Sequence, residues 1–485
     1  MITARAFAGK HYAVYGLARS GLATVEALLA SGARVTAWDG KAEARNKLLP
    51  GTGRGTATRS GVVEGAPLQR SPQPEDGARL ASLAPLHHPS DGPPPRSEED
   101  LQIADLDTSD LSKFDSLVVT PGLPLNRHPI AARARDAGVE IIGDIELFAR
   151  ARPELPPHKV VGITGTNGKS TTTALVHHIL KTAGVPTTMG GNIGLPILAQ
   201  NPLPEGGVYV LELSSYQIDL TQSLDCDVAV LLNITPDHLD RYESFEAYAA
   251  SKARLFNMQS GDHLAIARIE EWFGKGVVER SNAGTLQLLE EVWENFDFDP
   301  SLSATSEQSN WPALQGPHNL ENAAAAVAVC YKLGLTGEQM REGLETYPGL
   351  PHRMERVRDL DGVLFLNDSK ATNPTATAPA LAAYDRIRWI CGGQAKTDNL
   401  DECAPHFGHV RSAYTIGEAA DLFERLLSPH IAVQNCGKLG DAVLTAARDA
   451  QPGDTVLLSP ACASFDQFRD FEDRGDQFRA MVGAL

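Results

Sequence analysis

The chain has 485 residues, 42% hydrophobic and 21% charged, more than one ordinary core accommodates, which implies about three domains. Its formal charge of -18, from 61 acidic against 43 basic residues, argues against nucleic-acid binding through a general positive field. Six cysteines without a CxxC pair argue against a disulfide framework or zinc site and fit a reducing cytoplasm, and neither a leader nor an apolar run long enough to span a membrane is expected.

The first predicted strand is Tyr12-Ala13-Val14-Tyr15. A glycine turn at 16–21, a helix over 22–30 closed by Gly32, and a strand over 34–39 follow. Residues 50–100 are rich in Gly, Pro and Ser and hold no aromatic residue, which reads as a disordered insertion in a surface loop. Order resumes at Ser116-Leu117-Val118-Val119, with a helix near 129–137 and a strand at 139–142. After a Pro-rich linker at 153–157, a strand ending at Ile163 meets a second glycine loop and a helix over 170–183. Apolar strands at 208–213 and 228–233 fit the inside of a parallel sheet, and an alanine-rich helix over 321–333 should end this part. Beyond a linker at 348–351, strands at 363–367, 389–391, 413–416 and 455–458 alternate with helical patterns. The expected architecture is three consecutive α/β domains: 1–152 Rossmann-like, 153–349 of P-loop ATPase type, and 350–485 Rossmann-like.

The strongest chemical signal is Gly165-Thr166-Asn167-Gly168-Lys169-Ser170-Thr171 between a strand and a helix. Glycines let backbone N–H groups face an anion, and the helix start adds a positive dipole end. Lys169 suits β- and γ-phosphates and Ser170 suits Mg²⁺, although Ile163 stands where the usual motif has glycine. The first glycine turn is weaker, because Ala18 replaces the middle glycine of a dinucleotide fingerprint; a tight structural turn competes with a binding role. Glu212, closing a strand beside the phosphate loop, suits Mg²⁺. Taken alone, His238 reads equally well as a structural histidine, and Lys252 as an exposed helical lysine. Three polar clusters, at 367–374, 392–396 and 459–466, each follow a strand, where open α/β sheets bind ligands.

These motifs, with 190–194, 212–217, 316–319 and His352-Arg353, resemble the Mur ligases of peptidoglycan synthesis, in family order and over nearly all of the chain except 50–100 and 268–312. The runs Asp368-Ser369-Lys370-Ala371-Thr372-Asn373 and Ser459-Pro460-Ala461-Cys462-Ala463-Ser464 point to the D-glutamate-adding members. The resemblance implies an ATP-dependent amide ligase joining D-glutamate to UDP-N-acetylmuramoyl-L-alanine through an acyl-phosphate. It implies that Arg19, Ser20, Asp39 and Gly122 hold the uridine diphosphate, and that Asn192, Ser214 and Gln217 hold the sugar-peptide end. Asn319, Arg353 and Asp368 would hold the adenosine part of ATP; Lys370, Thr372, Lys396, Ser464 and Phe471 would surround the acyl-phosphate and D-glutamate. It further implies two Mg²⁺ ions held by Ser170, Glu212, His238 and Lys252, the last as a carbamate. A cytoplasmic monomer is expected. A folylpolyglutamate synthetase is disfavoured by the roughly 150 residues before the phosphate loop, a dehydrogenase by Ala18, and a non-catalytic sensor by the presence of Lys169, Glu212, Lys252 and Lys370.

Overall fold

The computed structural model describes residues 1–48, 100–235, 237, 241–267, 285–288, 292 and 307–485, with backbone alone for 285–288. Residues 50–99 of the insertion expected at 50–100, most of the irregular stretch 268–312, and His238 therefore lie outside the described residues. The chain forms two compact units, Met1–Glu154 with Leu198–Asn201, and Leu155–Ile197 with Pro202–Leu485.

The first unit is a five-stranded parallel sheet: β1 (His11–Tyr15), β2 (Arg34–Trp38), β3 (Leu101–Ile103), β4 (Ser116–Val119) and β5 (Glu140–Ile142), in the order β3-β2-β1-β4-β5. Helices α1 (Arg19–Ala30), α2 (Ala42–Asn46), α3 (Pro129–Asp136) and α4 (Asp144–Ala151) accompany it. The strand order reverses between β1 and β4, the position where doubly wound sheets open a crevice. The turn after β1 demands its glycines. Gly16 has φ +97°, and a Cβ there would stand 2.3 Å from Thr120 Oγ1; one on Gly21 would stand 1.9 Å from the Gly16 carbonyl. Helix α4 was not anticipated; only eight residues long, it buries all but Arg150, Asp144 and Glu146 included.

The second unit carries two sheets. One is wholly parallel, in the order β11-β10-β9-β6-β8-β7, built from β6 (His158–Thr164), β7 (Thr187–Gly191), β8 (Gly207–Glu212), β9 (Val228–Leu231), β10 (Leu264–Ala267) and β11 (Thr285–Leu288). Helix α5 (Lys169–Thr182) packs between this sheet and helices α8 (Pro317–Lys332) and α9 (Gly337–Thr346); α6 (Ser215–Asp219) and α7 (Phe245–Asn257) pack together. The alanine-rich helix thus does not end this part of the chain, because α9 follows it. A Cβ on Gly343 of α9 would lie 2.7 Å from Ile179, so glycine permits that close approach.

The other sheet has the order β12-β13-β17-β14-β15-β16, formed by β12 (Glu355–Leu360), β13 (Val363–Asn367), β14 (Ile387–Gly392), β15 (Val410–Ile416), β16 (Ala432–Gly437) and β17 (Thr455–Leu458). Only β12 runs antiparallel. Helices α10 (Pro374–Ala382), α11 (Ala420–Leu427), α12 (Leu439–Asp449) and α13 (Phe471–Gly483) complete it. Among the described residues no helix is long and apolar enough to cross a membrane.

Candidate active site

The phosphate loop leaves the buried strand β6 and enters α5. Ile163 is fully buried in the strand, so the position where a glycine was missed belongs to the core and not to the loop. Gly168 caps α5 at φ +82°, and a Cβ there would stand 2.3 Å from Asn322 Oδ1. The loop is braced from the next strand: Asn233 accepts from the Thr166 N–H at its carbonyl (2.9 Å) and from the Asn167 N–H at Oδ1 (2.8 Å). Thr166 Oγ1 lies 3.1 Å from the Tyr248 hydroxyl.

Two lysine ammonium groups converge on one carbonyl. Lys169 Nζ donates to the Gly165 and Thr166 carbonyls at 2.9 and 2.8 Å, and Lys252 Nζ donates to Gly165 O at 2.9 Å. Burial lowers the pKa of Lys169, opposed chiefly by the charge of Glu212. Lys252, only 1% exposed, is pushed down to about 7 by burial and then by the Lys169 charge, and its amine lies 4.7 Å from the Tyr248 ring centre. The reading of Lys252 as an exposed helical lysine is thereby overturned: α7 turns this position inward onto the phosphate loop.

Glu212 ends β8 and is buried. Asn192 Nδ2 donates to its Oε1 at 2.9 Å, while Oε2 is buried with no hydrogen-bond partner. Ser214 and Gln217 follow immediately as a reciprocal capping box on α6. Ser170 Oγ accepts from Arg353 NH2 at 3.0 Å, which ties the phosphate loop to the chain entering β12. Among the described residues no group of three or more His, Cys, Asp or Glu side chains converges as a metal site. The buried, unpaired oxygen of Glu212 at the end of β8 and the Ser170 hydroxyl at the start of α5 are nonetheless hard-oxygen donors of the kind Mg²⁺ takes, and they fit that ion.

A cleft of about 370 Å³ collects residues from both sheets of this unit, among them Gly168, Thr171, Asn319, Arg353, Asp368 and Lys370. Asn319 Oδ1 accepts from Asn322, whose own Oδ1 accepts from Thr172 of α5 at 3.2 Å, so α8 holds the phosphate-loop helix through a chain of amides. Asp368 is buried at the end of β13, where Ser459 Oγ donates to it at 2.7 Å and the Met354 N–H at 3.3 Å. Burial raises its pKa to about 7. Lys370 lies 3.7 Å from the centre of the Phe471 ring, and Lys396 Nζ approaches Thr372 Oγ1 at 3.4 Å. Ser464 is buried in the loop after β17.

In the first unit, Asp39 accepts the Leu17 and Lys41 N–H groups at 2.8 Å each, so its carboxylate already folds the glycine turn. Arg19 and Ser20 open α1, and Gly122 is exposed in the turn after β4. Asn233, Asn322 and Tyr248 were not anticipated. Asn322, one helical turn after Asn319 on an alanine-rich helix, carried a legible signal; Asn233 ends an apolar run, where only its strand-end position hinted at a role.

Comparison with known proteins matches residues 163–330 to the Mur ligase middle domain and 352–462 to the Mur ligase glutamate ligase domain, together more than half of the chain. A UDP-N-acetylmuramoylalanine–D-glutamate ligase of Novosphingobium aromaticivorans is 56% identical over 489 residues, covering 100% of this chain and 97% of the relative. A ligase of the same description from Sphingopyxis alaskensis is 54% identical, with 100% of each chain covered. Among solved structures, a UDP-N-acetylmuramate–alanine ligase from Thermotoga maritima superposes with a TM-score of 0.54 at 16% identity, covering 98% of this chain and 99% of that one, a likeness of fold.

Proposed function

The chain belongs to the Mur ligase family, and from that premise we propose how its residues divide the work. It is an ATP-dependent ligase that adds D-glutamate to UDP-N-acetylmuramoyl-L-alanine in peptidoglycan precursor synthesis. The observation that carries the site assignment is the single cleft in which the phosphate-loop residues Gly168 and Thr171 meet Asn319, Arg353, Asp368 and Lys370.

In this reading the second unit divides functionally near 349/350, and the cleft takes ATP with its adenosine part against Asn319, Arg353 and Asp368. The loop amides and Lys169 receive the phosphates once Lys169 leaves its own carbonyls. Arg19, Ser20, Asp39 and Gly122 take the uridine diphosphate in the first unit. Asn192, Ser214 and Gln217 orient the sugar-peptide, and Thr372, Lys396, Ser464 and Phe471 receive D-glutamate.

The substrate carboxylate attacks the γ-phosphate, giving an acyl-phosphate and ADP. The free amine of D-glutamate then attacks the acyl carbon through a tetrahedral intermediate, and as the amide forms the nitrogen gives up a proton and phosphate leaves, with that proton going to the departing phosphate or to solvent. The protein supplies positioning and charge, with Lys169 and Lys370 offsetting the growing negative charge. Ser170, Glu212 and Lys252 would hold Mg²⁺, with His238 in the same set; bound there, it would neutralise phosphate oxygens. The buried Lys252 amine, whose pKa is pushed down to about 7 by burial, has a substantial neutral fraction at that pH and is suited to add CO₂, forming an N–C bond and releasing a proton to give a carbamate. The substrates in this reading are small molecules, handled by a monomer in the cytoplasm.

Phosphate release from ATP tests the function. It is expected only when UDP-N-acetylmuramoyl-L-alanine and D-glutamate are both present. Equal release with another amino acid would overturn the assignment.

A further inference from the structure

Arg474, on the first turns of α13, is fully buried. A guanidinium offers five N–H donors in a planar fork. Here every one of them is used. Nε donates to Ser369 Oγ at 2.9 Å, NH2 to Ser369 O at 2.8 Å and to Cys462 O at 3.1 Å, and NH1 to Cys462 O at 3.1 Å and Ala463 O at 3.4 Å. All these acceptors are neutral. Asp466 and Asp368 act on the guanidinium only as nearby charges, and burial pulls its pKa down to about 10.

The acceptors sit in two of the three polar clusters. Ser369 immediately precedes Lys370, and its hydroxyl donates in turn to Phe471 O at 2.8 Å. Cys462 and Ala463 immediately precede Ser464. The third cluster closes over the same group: Gln394 and Ala463 exchange backbone hydrogen bonds of 2.9 and 3.0 Å, and a Cβ on Gly393 would stand 3.3 Å from Arg474 NH1. The fork therefore fixes the backbone on which Lys370, Ser464 and Phe471 are mounted.

A buried cation without a carboxylate partner is a costly element for stability alone, since well-packed apolar residues fill such space at least as well. We infer that Arg474 is a positioning residue for the incoming amino acid, holding the loops of Lys370, Ser464 and Phe471 in register through its five-donor fork. The inference rests on the reading of those residues as the D-glutamate site. Lysine keeps the charge but has three donors and no fork, so it does not replace arginine here.

The test is steady-state kinetics of Arg474→Lys and Arg474→Met with each substrate varied in turn, beside Thr372→Ala as a control on the site. The expected result is a rise in the KM for D-glutamate of at least about tenfold in both arginine variants, with the KM for ATP changed by less than about threefold, because small misplacements of a binding loop cost that much. An unchanged KM for D-glutamate in Arg474→Lys, or a matching rise for ATP, overturns the inference. If Thr372→Ala also leaves D-glutamate untouched, the site assignment itself fails. Should the arginine variants not fold, Ser369→Ala removes the Nε acceptor while keeping the arginine, and the same split decides the matter.

Discussion

Lys252 owes its chemistry to burial. Water is withdrawn from its amine, the Tyr248 ring lies 4.7 Å away, and Lys169 shares its carbonyl acceptor. A cation in that setting is disfavoured, so the neutral nucleophile is present near pH 7. Lys252→Ala should lower kcat by at least about a hundredfold, the usual loss when a positioned charge is removed from a reacting centre. Lys252→Arg should lose as much, because arginine forms no carbamate, and a short carboxylate such as acetate should restore part of the activity of the alanine variant. Full activity in either variant would end the carbamate assignment. Asp368 presents the opposite case. Its folded pKa, near 7, lies above the ordinary value, so between about pH 4 and pH 7 the folded chain binds more protons than the unfolded one. Stability contributed by this group is therefore present at low pH and is lost as pH rises through about 7. Asp368→Asn removes that slope: the amide can accept from Met354 and donate to Ser459, whose hydroxyl turns to Thr377 3.1 Å away. At pH 8 the variant should melt higher than the parent while binding ATP less tightly. A lower melting point at pH 8 would show that the buried carboxylate is not strained.

The unit of function at the next scale is the strand-loop-helix from β6 to α5, locked by α8. Gly168 sits at φ +82° against Asn322, so Gly168→Ala strains the backbone and drives a methyl into the amide that holds Thr172. The expected outcome is a KM for ATP raised about tenfold or more, the penalty of displacing the loop amides, with little change in the KM for D-glutamate. An unchanged KM for ATP would mean the loop tolerates the shift. Much of this element was legible in sequence, because its parts are local: an apolar strand, glycines and a Lys-Ser pair at a helix start. Central strands were legible for the same reason, and those at 116–119, 363–367 and 455–458 coincide residue for residue with β4, β13 and β17. Most edge strands were not, β5 being the exception. Thr187–Gly191 and Ala432–Gly437 bury few side chains, and their glycine and asparagine content dilutes the strand signature. Asn322 was legible from its spacing to Asn319, Asn233 only faintly from its place at a strand end, and Arg474 not at all, because its role lies in what distant segments bring beside it. Arg474 reads as an ordinary solvent-facing residue of an acidic helix until the fold buries it against Ser369 and Cys462.

At the scale of the molecule, nucleotide chemistry is partitioned. The first unit carries the glycine turn of β1, Asp39 and Gly122, and none of the phosphate-loop residues; the second carries the whole cleft around Gly168, Asn319, Arg353 and Asp368. The first glycine turn is closed on itself, with Asp39 accepting Leu17 and Lys41, and its glycines are explained by Thr120 and the Gly16 carbonyl. It therefore offers little room to a triphosphate, whereas the second loop presents a helix start and an ammonium held only by carbonyls. Hydrogen exchange should separate the two. At a hundredfold excess over its Kd, ATP stabilises the form it binds by about 2.7 kcal/mol, equivalent to about hundredfold slower exchange where opening releases it. That protection should fall on 165–171, 316–322 and 350–370 and leave the turn at 16–21 as it was. UDP should do the reverse, protecting 16–21, 38–41 and 120–123. In Lys169→Ala the ATP pattern should weaken while the UDP pattern persists. Protection of the first glycine turn by ATP would move the triphosphate to the first sheet, because the physical difference between the two loops, one folded on its own carboxylate and one carrying an ammonium held only by carbonyls, would then have failed to predict where the triphosphate goes.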